Sequence, residues 1–191
     1  MMLLPHPKTI YWAEVVCFTH NEGKVILAFS PIQRTITFNK KQYFLSFPWM
    51  LFSINYLQDN YRCCSSSLSM GFADAPLEKW EDEVCLPPLP NVHDQGEVCL
   101  GLDNFCAQNL EQLIEYMLNR FWLSRFKYMD PNDEDEKAML KKALKTWRDE
   151  GYAKIPQKCY PYGKQYRNAA SCYFDIKPKS KVLFDALKGK S

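Results

Sequence analysis

The residues able to do chemistry gather between Leu89 and Gly101, in the run Leu-Pro-Asn-Val-His-Asp-Gln-Gly-Glu-Val-Cys-Leu-Gly. Cys99 is a potential nucleophile on a connection, ten residues ahead of the helix start at Asn109, rather than within a periodic apolar face. Asn91 lies eight residues upstream, across a turn signal at Asp94 to Gly96. If that turn closes, the Asn91 amide reaches the neighbourhood of Cys99. A thiolate and a nearby amide donor are the minimum set for acyl transfer, a nucleophile and an oxyanion stabiliser. An ordinary thiol, with a pKa of about 8.5, leaves a few per cent thiolate at neutral pH, enough for nucleophilic attack. The alternatives are an inert buried thiol at Cys99 and an Asn91 side chain that bonds backbone amides to hold the turn.

Other candidates are weaker. His93 stands where a base for Cys99 could stand, but a solvent-facing turn histidine is the simpler reading. Asp130, Asp133 and Asp135 stand at a helix start, where acids are expected from the helix dipole alone. Cys106 could form a regulatory disulfide or sit as a core thiol near the helix. Cys63 and Cys64 are too close-coupled to bond each other and read as structural. The eight cysteines form no C-x-x-C pair and the three histidines are scattered, so the paired-ligand pattern of a zinc site is missing. No metal and no cofactor are expected.

The elements that must position this run follow from periodicity. Residues 9–19, 24–30, 34–39 and 43–57 read as four strands of an antiparallel meander, with a hairpin turn at Asn21-Glu22-Gly23 and a bulge or edge position at Pro48. Residues 58–90 show no clear periodicity, and a connection of that length is usually functional. Asn109 to Phe126 is the clearest helix, with Leu110, Leu113, Ile114, Met117, Leu118, Phe121 and Trp122 on one stripe and a capping box from Asn109 to Gln112. A second helix starts with Asp130 as N-cap and Pro131 as first residue. It buries Met139, Leu140, Ala143, Leu144 and Trp147, and stops at Gly151. Val182 to Leu187 reads as one more short helix.

The chain has 191 residues, 47% hydrophobic and 24% charged, which excludes disordered and collagen-like classes. A chain of this size buries roughly 70% of its unfolded surface and needs no disulfide staples. The most apolar stretch, 43–57, is too short and too polar to span a membrane, and no signal peptide is visible. A cytoplasmic, reducing setting is expected, with most thiols acting as small buried hydrophobes. Residues 1–150 carry 15 Lys and Arg against 20 Asp and Glu, whereas residues 151–191 carry 9 against 2. Such a basic tail, with Lys177, Lys179, Lys181, Lys188 and Lys190, is either a solvated surface or a weak contact for nucleic acid or an acidic protein.

The run around Cys99 resembles the ubiquitin-conjugating enzyme superfamily. That family carries a His-Pro-Asn triplet, the Asn eight residues before the catalytic Cys and a Gly five after the Asn. This chain has Pro90, Asn91, Gly96, Cys99 and Leu100 at those places. The tone of Pro-Asn-Val, Val-Cys-Leu-Gly and Phe121-Trp122-Leu123-Ser124-Arg125-Phe126 is similar to the divergent prokaryotic, phage and plasmid members, among them the PRTRC system protein B group. The resemblance covers roughly residues 9–128. It implies an α+β fold, an antiparallel four-stranded meander packed on a main helix. The chain then divides as residues 1–150, the conjugating-like domain, and residues 151–191, a basic, aromatic-rich extension. It implies a thioester of a ubiquitin-like modifier on Cys99, aminolysis assisted by Asn91, an acid in the region of Asp130, Asp133 and Asp135 that helps orient or deprotonate the incoming lysine, no cofactor, and as partners a ubiquitin-like protein and its activating enzyme. The alternatives are a catalytically silent binding module and a phage or plasmid structural protein. Three departures stand out. Gly101 after Leu100 is unlike most eukaryotic members of the family. Leu89 replaces the His of the triplet, and no helical pattern precedes the first strand, where the family makes much of its activating-enzyme contact.

Overall fold

The computed structural model describes residues 9–16, 21–58, 61–76, 82–93, 96–101, 104–126, 133–155 and 166–168. Its elements are β1 (Thr9–Val16), β2 (Asn21–Phe29), β3 (Ile32–Phe38), β4 (Lys41–Phe47), β5 (Trp49–Gln58), β6 (Cys63–Ala73), β7 (Glu83–Cys85), β8 (Phe105–Ala107), α1 (Leu110–Trp122), β9 (Arg125–Phe126), α2 (Glu134–Glu150) and β10 (Tyr166–Asn168). The molecule is α+β and mostly antiparallel. The larger sheet runs β1-β2-β5-β6-β7-β10, with β8 also on β6, and a smaller one runs β4-β3-β9.

The meander exists, but its membership differs from the sequence expectation. Its strands are β1, β2, β5 and β6, whereas β3 and β4 form a separate hairpin between β2 and β5. The stretch 43–57 is two strands because Pro48 has no N–H to give a ladder. There the chain leaves one sheet for the other. The β3–β4 turn is Asn39-Lys40, both at positive φ (44° and 66°), as a two-residue hairpin requires. Asn21-Glu22-Gly23, expected as a turn, lies inside β2, paired with Val15 and its neighbours and with β5; the β1–β2 connection falls at 17–20, outside the described residues. Gly23 serves packing instead. A Cβ on it would lie 2.3 Å from the ring of its cross-strand partner Tyr56.

Helix α1 is as patterned: Leu113, Met117 and Phe121 are fully buried, and Phe121 packs edge-on against Phe52 of β5 at 5.1 Å. Asn109 caps it, its side chain accepting from the Gln112 N–H at 2.9 Å. The Gln112 side chain accepts from the Gln108 N–H, so the reciprocal half of the expected box is shifted by one residue. The helix ends at Trp122, four residues short of the expectation, because Arg125 and Phe126 pair in parallel with β3. Helix α2 starts one turn late, with Asp133 as N-cap accepting from the Glu136 N–H, and stops at Gly151 with φ 94°. Asp130 and Pro131 lie outside the described residues. Leu140, Ala143, Leu144 and Trp147 are buried and Met139 is half-buried. Trp147 donates its indole N–H to the Ser46 carbonyl at 2.8 Å and packs on Phe47 and Phe72, which ties α2 to both sheets.

Past Gly151 a short helical turn, Tyr152–Lys154, brings Tyr152 and Ile155 into the same core, and β10 pairs with β7. The expected short helix at 182–187 and the tail lysines lie outside the described residues. Among the described residues no helix is long and apolar enough to cross a membrane.

Candidate active site

The open edge of β6 positions the cysteine run. Three short segments dock on it in turn. Cys85 of β7 pairs with Phe72, residues 96–98 pair with 68–70, and β8 pairs with 63–65. The middle segment is half of a hairpin. Gly96 donates to the His93 carbonyl at 2.9 Å, His93 to the Glu97 carbonyl at 2.8 Å, and Cys99 to the Asn91 carbonyl at 2.8 Å. These bonds close the hairpin between His93 and Gly96, and Gly96 sits at φ 85°, a left-handed conformation that favours glycine. The hairpin then joins β6: Met70 donates to the Gly96 carbonyl at 2.8 Å, and Val98 to the Leu68 carbonyl at 2.7 Å. A Cβ on Gly96 would stand 2.9 Å from the Met70 carbonyl oxygen, so only glycine fits without movement.

Side-chain alternation decides which groups face out. Gly96, Val98 and Leu100 are buried, whereas Glu97 and Cys99 are exposed. Val92 and Val98, bridged across the hairpin, anchor it in the core. Asn91 and Cys99 are the next opposed pair, and opposed residues of an antiparallel ribbon send their side chains to one face, Cβ atoms about 5 Å apart. The structure thus brings the two candidate residues together. Their exposure differs. Cys99 is open to solvent, while both Asn91 amide atoms are buried and neither has a hydrogen-bond partner.

Leu89 shows what replaces the missing histidine. It is fully buried in the main core, and its carbonyl accepts from the Val92 N–H at 3.1 Å. Apolar packing there holds the run ahead of Asn91, with Pro87, Pro88 and Pro90 buried beside it. His93 is exposed on the turn; Asp94 and Gln95 lie outside the described residues. Asp133 is engaged as a helix cap, and Asp135 is exposed in the first turn of α2.

The cysteines correct one expectation. Cys106 is not a core thiol: of its two readings the disulfide holds, and its partner is Cys64, across β6 and β8. The partner is not legible in the sequence, because no clear periodicity marks β6 or β8 and no register places the two cysteines side by side. Cys63 and Cys85 are buried and free of disulfides. Burial pushes the Cys63 thiol pKa up, and the Cys85 sulfur is hydrogen-bonded to the Tyr152 hydroxyl at 2.6 Å. Cys17, Cys159 and Cys172 lie outside the described residues. No group of three His, Cys, Asp or Glu side chains able to hold a metal occurs among the described residues.

A family model described as Prokaryotic E2 family D matches residues 6–164, most of the chain. The protein therefore belongs to this prokaryotic family of ubiquitin-conjugating-like proteins. Comparison with curated proteins and with solved structures gave no match.

Proposed function

We propose that the protein is a conjugating enzyme for a ubiquitin-like modifier, working through a thioester on Cys99. The Cys99 thiolate attacks the thioester carbonyl that links the modifier to its activating enzyme. That enzyme's thiolate leaves, and the modifier's carboxy terminus is then held on Cys99. An acceptor amine attacks the same carbonyl. The Asn91 amide N–H donates to the oxyanion of the tetrahedral intermediate, which collapses to an amide and expels the Cys99 thiolate. The observation that carries this reading is the buried, unpartnered Asn91 amide on the residue opposed to an exposed cysteine. A buried amide without partners costs a fold about 1–3 kcal/mol, and an oxyanion that reaches it as the acyl group loads would satisfy it. The reading takes the setting to be cytoplasmic, where small thiols and activating enzymes of this chemistry operate.

The test needs no knowledge of the natural modifier. The chain is incubated with a synthetic peptide thioester ending in glycine, then with free lysine. The expected result is a thiol-labile adduct mapped to Cys99 and absent from Cys99→Ser. Asn91→Ala should still load but release its acyl group to lysine about 10²-fold more slowly, the usual cost of losing one oxyanion donor. An adduct on another cysteine, or an Asn91→Ala chain that transfers at the normal rate, would sink the proposal.

A further inference from the structure

We propose that the Cys64–Cys106 disulfide is a redox clasp on the Cys99 loop, opened and closed by small-molecule thiols and disulfides. It deepens the reading above by adding regulation to the same site.

Cys99 lies in sequence between two attachments to β6. The first is the hairpin, fixed by the Val98 to Leu68 and Met70 to Gly96 hydrogen bonds. The second is β8, only three residues long, paired with Cys63, Cys64 and Ser65. Its central residue, Cys106, carries the covalent bond to the residue directly opposite. A three-residue strand at a sheet edge has few backbone hydrogen bonds, and such segments open at low free-energy cost. The disulfide turns the second attachment from a weak pairing into a fixed point. Phe105 keeps an apolar hold on α1 through Tyr116, ring centroids 5.3 Å apart, so opening the bond loosens β8 without releasing the helix.

Access fits a switch better than a staple. Cys106 is exposed and Cys64 half-buried, with exposed Leu57 as the next cross-strand neighbour of Cys64. Cys106 therefore offers its sulfur to an attacking thiolate, and Cys64 is the leaving group. In the first step a small thiolate bonds to the Cys106 sulfur, the S–S bond breaks, and Cys64 departs as a thiolate that takes up a proton. A second small thiolate then displaces Cys106 from the mixed disulfide. Two thiols of the small reagent are oxidised to its disulfide while the protein disulfide is reduced by two electrons. Closure is the reverse. In a reducing compartment, disulfides that do occur are usually transient and redox-sensing.

Hydrogen exchange on the full chain, isolated without reductant, tests this before and after a phosphine reductant. Peptides covering 99–107 should exchange at least tenfold faster once the bond opens, while those covering β2 and α1 change less than threefold. Iodoacetamide should then alkylate Cys99 at least threefold faster, by peptide mapping. Cys106→Ser should match the reduced chain without reductant and not respond to it further, with Cys64→Ser as the second variant should the first misfold. Unchanged exchange at 99–107 overturns the clasp. So does an equal rise across α1 and β2, which would make the bond a staple for the whole fold. Free thiols at both positions in the isolated chain also overturn it, and a loosened loop with unchanged Cys99 alkylation overturns regulation of the site. Exchange reads the loop rather than acyl transfer, so a chain that never accepts a peptide thioester still decides the clasp.

Discussion

At the scale of single residues, Asn91 and Cys99 make opposite demands on the fold. An unpartnered buried amide lowers stability, so its removal should not harm folding. Asn91→Ala is expected to unfold in urea within about 1 kcal/mol of the parent, because the loss of a small side chain is offset by the loss of an unsatisfied polar group. The same variant loses acyl release to lysine. A residue that only held the turn would behave the other way, losing stability first. Cys99 makes a second prediction possible. Of the three described cysteines outside the disulfide it is the exposed one, and Cys63 and Cys85 are sealed in the core. Brief alkylation of the native chain should therefore label Cys99 well before those two. Cys63, whose thiol burial holds in the protonated form, should react only after denaturation. Labelling of Cys63 ahead of Cys99 would mean that the hairpin does not present its thiol.

At the scale of elements, the hairpin and its seat on β6 decide whether those residues meet. Gly96→Ala tests the seat. Alanine at φ 85° costs about 1–2 kcal/mol by its conformation alone, and its Cβ would crowd the Met70 carbonyl at 2.9 Å. Urea unfolding should show a loss of about 2–3 kcal/mol, with acyl transfer reduced further than stability explains. A silent Gly96→Ala would show that the hairpin can slide on β6. Much of this element was legible in the sequence, because a turn, a glycine and an eight-residue spacing are local signals. Helix α1 was legible for the same reason, its apolar stripe lying within one element. Strand β6 was not read, although Leu68, Met70 and Phe72 alternate with Ser67, Ser69 and Gly71. Serines and a glycine on one face disguised a period-two pattern that a strand beside another sheet element tolerates. The Cys64–Cys106 pair was illegible because its meeting depends on the register of β6 against β8, 42 residues apart in sequence. The joining of β2 to β5 rather than β3 is non-local in the same way: β5 pairs with β2 along its whole length, from Asn21 against Gln58 to Phe29 against Met50.

At the scale of the whole molecule, composition divides the chain near residue 150, but packing carries on beyond it. The charge balance changes sign there, whereas Tyr152 and Ile155 are buried with the main core. Tyr152 stacks edge-on against Phe72 at 5.1 Å and Trp147 at 5.6 Å, and its hydroxyl reaches the Cys85 sulfur on β7. One ring thus joins α2, β6 and β7, and β7 lies on the same edge of β6 as the Cys99 hairpin. Burial of a tyrosine and an isoleucine side chain contributes about 4 kcal/mol together, a large share of the 5–15 kcal/mol that holds a typical domain. A chain ending at Glu150 should therefore melt well below the full chain or unfold without a cooperative transition. Tyr152→Phe, which keeps the ring and loses the hydroxyl, should cost only about 1 kcal/mol. Tyr152→Ala should cost about 3–5 kcal/mol, as aromatic deletions from cores do. If the chain ending at Glu150 melts with the full chain, the packing beyond Gly151 contributes nothing to the fold, and the change in charge would mark its true boundary.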